Sequence, residues 1–171
     1  MAADDDAAGP PIAGVTMRQL RPSDYGPVIA AIDDWWGGRH MADMLPRLFF
    51  EHFTDTSFAA ERAGHLAGFL VGFLSQSRPA EAYIHFVGVH PGERGQGLGR
   101  LLYEAFFDVV SARGRTVVRA VTAPVNTGSI AFHRRMGFQV EPVPAGRADV
   151  PVAAGYDGPG QDRVRFTKHL R

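Results

Sequence analysis

Three glycines at alternate positions, in the run Arg94-Gly95-Gln96-Gly97-Leu98-Gly99, are the part of this 171-residue chain best suited to hold a ligand. Glycine lets the backbone turn tightly and brings its N–H groups close to whatever sits above them. A helix that begins directly after such a turn aims its positive N-terminal end at the same point, and the pair binds anions, phosphates above all. Arg94 adds a cation beside it. Spacing excludes two common phosphate loops. A Walker loop needs Gly-x-x-x-x-Gly-Lys-Ser/Thr, and here Gly92 to Gly97 is followed by Leu98. The dinucleotide fingerprint needs Gly-x-Gly-x-x-Gly, whereas Gly95 to Gly99 reads Gly-x-Gly-x-Gly.

The elements that must carry this run can be read from periodicity. Residues 82–89 form an apolar strand that leads straight into it. Behind it, Leu98, Leu101, Leu102, Ala105, Phe106, Val109 and Val110 recur at i, i+3, i+4, i+7, i+8, i+11 and i+12, a continuous helical stripe that stops at Arg113-Gly114. Upstream, residues 15–20 alternate as a strand, and Ser23 or Asp24 caps a helix that runs to Ile32. The segment Asp33-Asp34-Trp35-Trp36-Gly37-Gly38-Arg39 breaks that helix. A second helix is expected over residues 45–53, with Leu48, Phe49 and Phe53 on one side, then a hairpin of residues 58–61 and 66–74. Downstream come a strand at 117–121, a short helix from Ser129 to Met136 stopped by Gly137, a strand beginning at 138–140, a Pro/Gly/Ala-rich loop over 142–162 and a closing strand at 164–170. Mixed order with a run of three strands predicts an α/β fold: a mixed, mostly antiparallel sheet of six to seven strands with helices on both faces.

Composition bounds the rest. Lysine plus arginine equal aspartate plus glutamate, 18 against 18, which lacks the basic excess of a nucleic-acid binder. The absence of cysteine excludes disulfides, thiolate metal sites and a cysteine nucleophile, and fits a reducing cytoplasm. Residues 1–13 are rich in Asp, Ala, Gly and Pro and read as a flexible tail before a single domain over 14–171. That start has neither the basic residues nor the apolar stretch of a signal peptide, and no apolar run is long enough to span a bilayer. The expectation is a cytoplasmic protein with no nucleic-acid or membrane partner.

Two motifs in order carry a resemblance. Arg94-x-x-Gly97-x-Gly99, preceded by Val89-His90-Pro91, resembles the acyl-CoA pyrophosphate loop, Arg/Gln-x-x-Gly-x-Gly/Ala, of the GNAT superfamily of N-acetyltransferases. Asn126-x-x-Ser129-x-x-Phe132-His133-x-x-Met136-Gly137-Phe138 resembles the asparagine and the Phe-Tyr-x-x-x-Gly-Phe of that family's later helix. The resemblance covers residues 15–140 and the final strand. It implies an enzyme that moves an acetyl group from acetyl-CoA to a primary amine, on a small molecule or peptide, by direct attack in a ternary complex. It implies that the N–H groups of Gln96, Gly97, Leu98 and Gly99 hold the pyrophosphate, flanked by Arg94, Gly95 and Arg100. Val87 and Val89 would bond the pantetheine arm through their main chain, and Asn126 would meet it from the later helix with Ser129 and Phe132. No metal is required, and a homodimer is among the states open to relatives.

One departure matters. The family's tyrosine after the helix phenylalanine meets the leaving thiolate, and this chain has His133 there. Either the imidazole replaces the phenol as donor, or His133 is a polar surface residue and water protonates the sulfur. Helical spacing puts His133 on one side with Ser129, Phe132 and Met136, away from Arg134 and Arg135, which favours the donor reading. The missing tyrosine also motivates an alternative, a non-catalytic acyl-CoA sensor. For the general base, His85 occupies a position where relatives place glutamate, and Glu81 is the alternative. The acceptor wall in relatives follows the first helix, so Asp33, Asp34, Trp35 and Trp36 could receive a cationic amine by charge and cation–π contact, with Tyr83 on the facing strand. The segment 145–162 is either a lid over that site or an unordered connection.

Overall fold

The computed structural model describes residues 11–144 and 150–171. Its strands are β1 (Val15–Gln19), β2 (Phe58–Arg62), β3 (His65–Leu74), β4 (Glu81–Val89), β5 (Val117–Thr122), β6 (Gln139–Val140) and β7 (Val164–His169), all in one sheet of order β1-β2-β3-β4-β5-β7-β6. The β4–β5 pair is parallel and the other pairs are antiparallel. Among the described residues four α-helices accompany it: α1 (Tyr25–Trp35), α2 (Leu48–His52), α3 (Leu98–Ala112) and α4 (Thr127–Arg135). This is the mixed, mostly antiparallel sheet that the sequence predicts, with seven strands. Among the described residues no helix is long and apolar enough to cross a membrane.

Alternation along the strands divides the apolar side chains between two cores. On one face, Leu98, Leu102, Phe106 and Val110 of α3 and Ile130 of α4 pack with Leu70, Ile84, Val118 and Phe166. On the other, Val28, Ile32 and Trp35 of α1 pack with Leu20, Leu45, Phe50, Phe69 and Phe86. Helices therefore flank both faces, as expected. The β2–β3 hairpin turns on Ala63 and Gly64, both at positive φ, the turn whose twist matches its strands.

Both early helices differ from the sequence-based expectation. The first continues one turn past Ile32 to Trp35, because Trp35, 7% exposed, is a core side chain one turn beyond Ile32. Its break comes at Gly37 and Gly38. The second is five residues long rather than nine. Its fully buried side chain is Phe50, which the expected apolar side omitted, while Leu48 is 46% exposed. In so short a helix one aromatic residue decides the orientation.

Two irregularities in β4 set up the site. The β3–β4 register steps from Val71↔Phe86 to Gly72↔Ile84, so His85 is the extra residue of a β-bulge. Before the bulge Ala82 and Ile84 join the α3 core; after it Phe86 joins the α1 core. In addition, β4 and β5 pair only over Glu81↔Val117, Ala82↔Val118 and Tyr83↔Arg119, and then part.

Of the expected tail, residues 1–10 lie outside the described residues, but Ile12 packs on the α3 core and Ala13 O accepts from Arg62 Nη1 at 2.7 Å. Of the long loop, residues 145–149 lie outside the described residues. The part from 150 onward is tied down by paired backbone bonds between Ala153 and Arg163 and by an Arg163–Asp157 ion pair at 2.7 Å.

Gly72 tests the packing. A Cβ there would stand 2.3 Å from Cε2 of the fully buried Phe106. Gly72→Ala is expected to destabilise the protein by about 1–3 kcal/mol in urea unfolding, through forced displacement of that ring. An unchanged midpoint would contradict the contact.

Candidate active site

Where β4 and β5 part, a cavity of about 1180 Å³ opens between α3 and α4. Val87 and Val89 of β4 form one wall. The glycine run and α3 form a second, through Gly97, Leu98, Gly99, Arg100 and Tyr103. Asn126, Ser129, Phe132 and His133 of α4 form a third, and Trp35 and Trp36 close one end.

The glycine run is shaped as its composition suggests. Gly95 and Gly97 have φ of 77° and 87°, and Gly97 is the N-cap of α3. A side chain there would be strained in the left-handed region. The bond from Leu101 N to Gly97 O, at 3.0 Å, is the helix's first, so the N–H groups of Leu98, Gly99 and Arg100 head α3 without an intrahelical partner. These groups and the positive end of the helix dipole meet at the cavity, an arrangement suited to an anion. Gln96 does not line it with its side chain, whose Nε2 donates to Gly92 O and whose Oε1 accepts from Arg62. Arg100 pairs with Glu104 at 2.6 Å. Across the cavity Arg39, Arg94, Arg100, Arg135 and Lys168 face Glu93 and Glu104, a balance that favours a polyanion.

Arg94 has a structural task as well. Its guanidinium donates to the carbonyls of Trp35 and Val89, which joins the end of α1 to the end of β4. Arg62, which sequence reading did not single out, donates to Glu93 at 3.0 Å and to Gln96 at 3.2 Å and fixes the loop from below.

On α4, Asn126 Oδ1 accepts from Ser129 N at 3.2 Å and caps the helix. His133 is 5% exposed and stacks on Phe166 with ring centroids 4.3 Å apart. Its Nδ1 lies 2.8 Å from Ser129 O, and a carbonyl only accepts, so Nδ1 carries the proton. Its Nε2 then accepts from Tyr103 Oη at 3.0 Å. Burial pushes the imidazole's pKa below its usual value, against a smaller opposing effect of the Ser129 carbonyl. Tyr103 itself went unread, because it stands one position off the apolar stripe of α3. It is 2% exposed, and burial pushes its phenol well up.

The other residues singled out from the sequence lie elsewhere. His85, set on the α1 side by the bulge, stacks on Phe49 at 4.2 Å, and its Nε2 donates to Met44 O at 2.7 Å. Nδ1 is left as its basic nitrogen. Burial lowers its pKa, with the Met44 bond and Asp157 opposing. Glu81 lies between Arg119 at 2.9 Å and Arg78 at 3.4 Å, and the bond from Arg119 holds its carboxyl below the usual range. Glu81 and Tyr83 line a second cavity of about 170 Å³, together with Tyr156 of the long loop. Burial raises the Tyr83 phenol. Asp33 accepts from the backbone N–H groups of Met41 and Ala42 at 2.8 and 3.0 Å, which fixes the turn after α1; these bonds lower its pKa. Asp34 is exposed, and neither aspartate lines the larger cavity. Among the described residues no group of three His, Asp or Glu side chains is placed to hold a metal ion.

Comparison with known proteins gives the arrangement a context. Residues 17–138 match the family model described as the acetyltransferase (GNAT) family. The chain is 34% identical over 101 residues to the L-2,4-diaminobutyric acid acetyltransferase of Nocardia farcinica, covering 57% of this chain and 52% of that protein. The chain thus spans about half the length of that curated relative. Its fold superposes with a TM-score of 0.74 on a GNAT-family protein from Desulfovibrio desulfuricans, at 18% identity, covering 92% of this chain and 99% of the other. The corresponding values for a Salmonella typhimurium protein solved with its cofactor acetyl-CoA are 0.67, 21%, 92% and 95%.

Asn126→Ala removes the cap of a nine-residue helix. We expect a loss of about 1 kcal/mol in thermal unfolding, with Asn126→Asp retaining most of it. Equal stability of the alanine variant and the parent would show that Oδ1 does not cap α4.

Proposed function

The chain belongs to the GNAT family of acetyltransferases, and on that premise we propose that it transfers an acetyl group from acetyl-CoA to a primary amine by direct attack in a ternary complex. One observation carries the reading: the cavity between the parted strands β4 and β5 ends on the unpaired N–H groups of the glycine run and α3. A pyrophosphate suits the N–H groups of residues 96–99, and the surplus of cations around the cavity supports a multiply charged donor. The open edge of β4 offers the main-chain groups of Val87 and the N–H of Val89, whose carbonyl already accepts from Arg94, to a pantetheine arm, with Asn126 opposite. Acetyl-CoA in the Salmonella typhimurium protein and the diaminobutyrate acceptor named for the Nocardia farcinica relative agree with this assignment.

In the reaction the acceptor nitrogen must lose a proton, and its lone pair then attacks the thioester carbonyl. His85 is the base we assign, acting directly or through a water. Its Nε2 is committed to Met44 O, its Nδ1 has no bond among the described residues, and burial lowers its pKa below the usual value. Glu81 is the weaker candidate, because two arginines hold it as a low-pKa carboxylate. Trp35 and Trp36 bound the end of the cavity. With no cysteine to oxidise, the chain suits a cytoplasmic setting.

The test is thiol release from acetyl-CoA with L-2,4-diaminobutyric acid, a polyamine, an aminoglycoside, an amino acid and a peptide N-terminus as acceptors. One acetylated amine per thiol is expected with at least one class. Tight binding of acetyl-CoA with no turnover on any of them would overturn the reading in favour of a sensor. The pH profile tests the base. Because burial lowers the His85 pKa, kcat/KM is expected to stay level at neutral pH and to fall only as pH drops through a value below 6.5. His85→Gln should lower the rate roughly a hundredfold and remove that limb; an unchanged acid limb would exclude His85.

A further inference from the structure

The departing sulfur needs a donor, and His133, which occupies the family position for one, has none to give in the free enzyme. Its Nδ1–H is committed to Ser129 O and its Nε2 accepts. The O–H that it accepts belongs to Tyr103, on the facing helix and on the same cavity wall. A tyrosine at 133 would extend past the place of Nε2 into the space where Tyr103 Oη stands. The short imidazole on α4 and the long phenol on α3 thus fill one volume, and the hydroxyl comes from the opposite side.

We propose that Tyr103 is the catalytic residue that meets the leaving sulfur, and that His133 acts through it as a positioning and proton-relay residue. This rests on the acetyltransferase reading. As the C–N bond forms and the C–S bond breaks, the electron pair goes to sulfur and the amine's proton goes to the base. Tyr103 Oη–H turns to the sulfur. A proton taken from solvent at His133 Nε2 reverses the bond between the two side chains, so that Nε2–H donates to Oη. Transfer of the Oη proton to sulfur and of the Nε2 proton to Oη yields the free thiol and restores a neutral histidine and a neutral phenol. Nδ1–H stays on Ser129 O throughout and holds the ring in register.

The surroundings suit such a pair. Phe107, Phe132 and Phe138 lie edge-on to Tyr103 and Phe166 stacks on His133, so aromatic rings hold both side chains in place while both still line the cavity. Of the charged groups on the elements packed around them, Arg100 and Glu104 of α3, Arg135 of α4 and Lys168 of β7 line the same cavity, while Asp108 of α3, Arg134 of α4 and Arg165 of β7 do not. Arg100 is paired with Glu104, and Lys168 lies over the Phe107 ring at 5.3 Å.

The experiment is single-turnover acetyl transfer from saturating acetyl-CoA to the best amine of the panel above. Tyr103→Phe keeps the ring and deletes the hydroxyl. A rate lower by roughly tenfold or more, with the dissociation constant for acetyl-CoA within about twofold, is the expected result. A Tyr103→Phe enzyme that works at the parental rate would overturn the proposal while leaving the acetyltransferase reading in place. No thiol release by the parent would remove both. If the phenylalanine variant loses fold or donor affinity, a fluorinated tyrosine at 103 decides, since it preserves shape and makes the phenol more acidic. The single-turnover rate at fixed pH should then differ from that of the parent, and an identical rate would refute the role. His133→Phe should slow the step and change the pH profile with little effect on acetyl-CoA affinity; an identical profile would show that the histidine only fills space.

Discussion

Two parallel strands that pair for three residues and then separate are the constraint on which the rest of this molecule depends. Beyond Tyr83 and Arg119 the edge of β4 that should face β5 meets a cavity instead. Main-chain groups left this way inside a protein require partners. The sheet thus carries an unfilled strand position, and a ligand with amide groups of its own is the natural occupant. The bulge at His85 belongs to the same device: it turns β4 so that Val87 and Val89 face the α3 side while Phe86 anchors the α1 core.

Holding such an opening needs ties across it. Arg94 bonds the end of β4 to the end of α1, and Arg62 fastens Glu93 and Gln96. Both guanidiniums act on the frame of the loop and not on its backbone N–H groups. Asn126 and Asp33 do comparable work on α4 and on the turn after α1. Each is a polar side chain in a functional segment whose visible bond is to the backbone of its own neighbourhood. The reacting groups we propose are consequently few: a histidine on the bulge, and a histidine and a tyrosine joined across two helices.

What could be read in advance follows from what is local. The stripe of α3, the glycine run and the β2–β3 hairpin are properties of neighbouring residues, and all three stand where periodicity and turn chemistry placed them. The seven-stranded mixed sheet follows from their order. The bulge at His85 is a property of two strands in register, and no single segment encodes it. The extra turn of α1 depends on whether Trp35 finds a pocket in the core, which only the folded sheet provides. Tyr103 is the most instructive omission. Its partner is thirty residues away on another helix, and the stripe that identified α3 passes one position beside it. A histidine where relatives carry tyrosine was the available signal, since a shortened side chain in a packed site asks what fills the space.

The account's central claim is that an acyl-CoA takes the place of the missing strand contact and ends on the α3 N-terminus. Amide hydrogen exchange with and without saturating acetyl-CoA tests it most directly. The prediction is slower exchange at residues 87–89 of β4 and at residues 96–99 of the glycine run, with the distant β1–β2 pair unaffected. Acetyl-CoA that binds and leaves both segments exchanging at their free rates would contradict it.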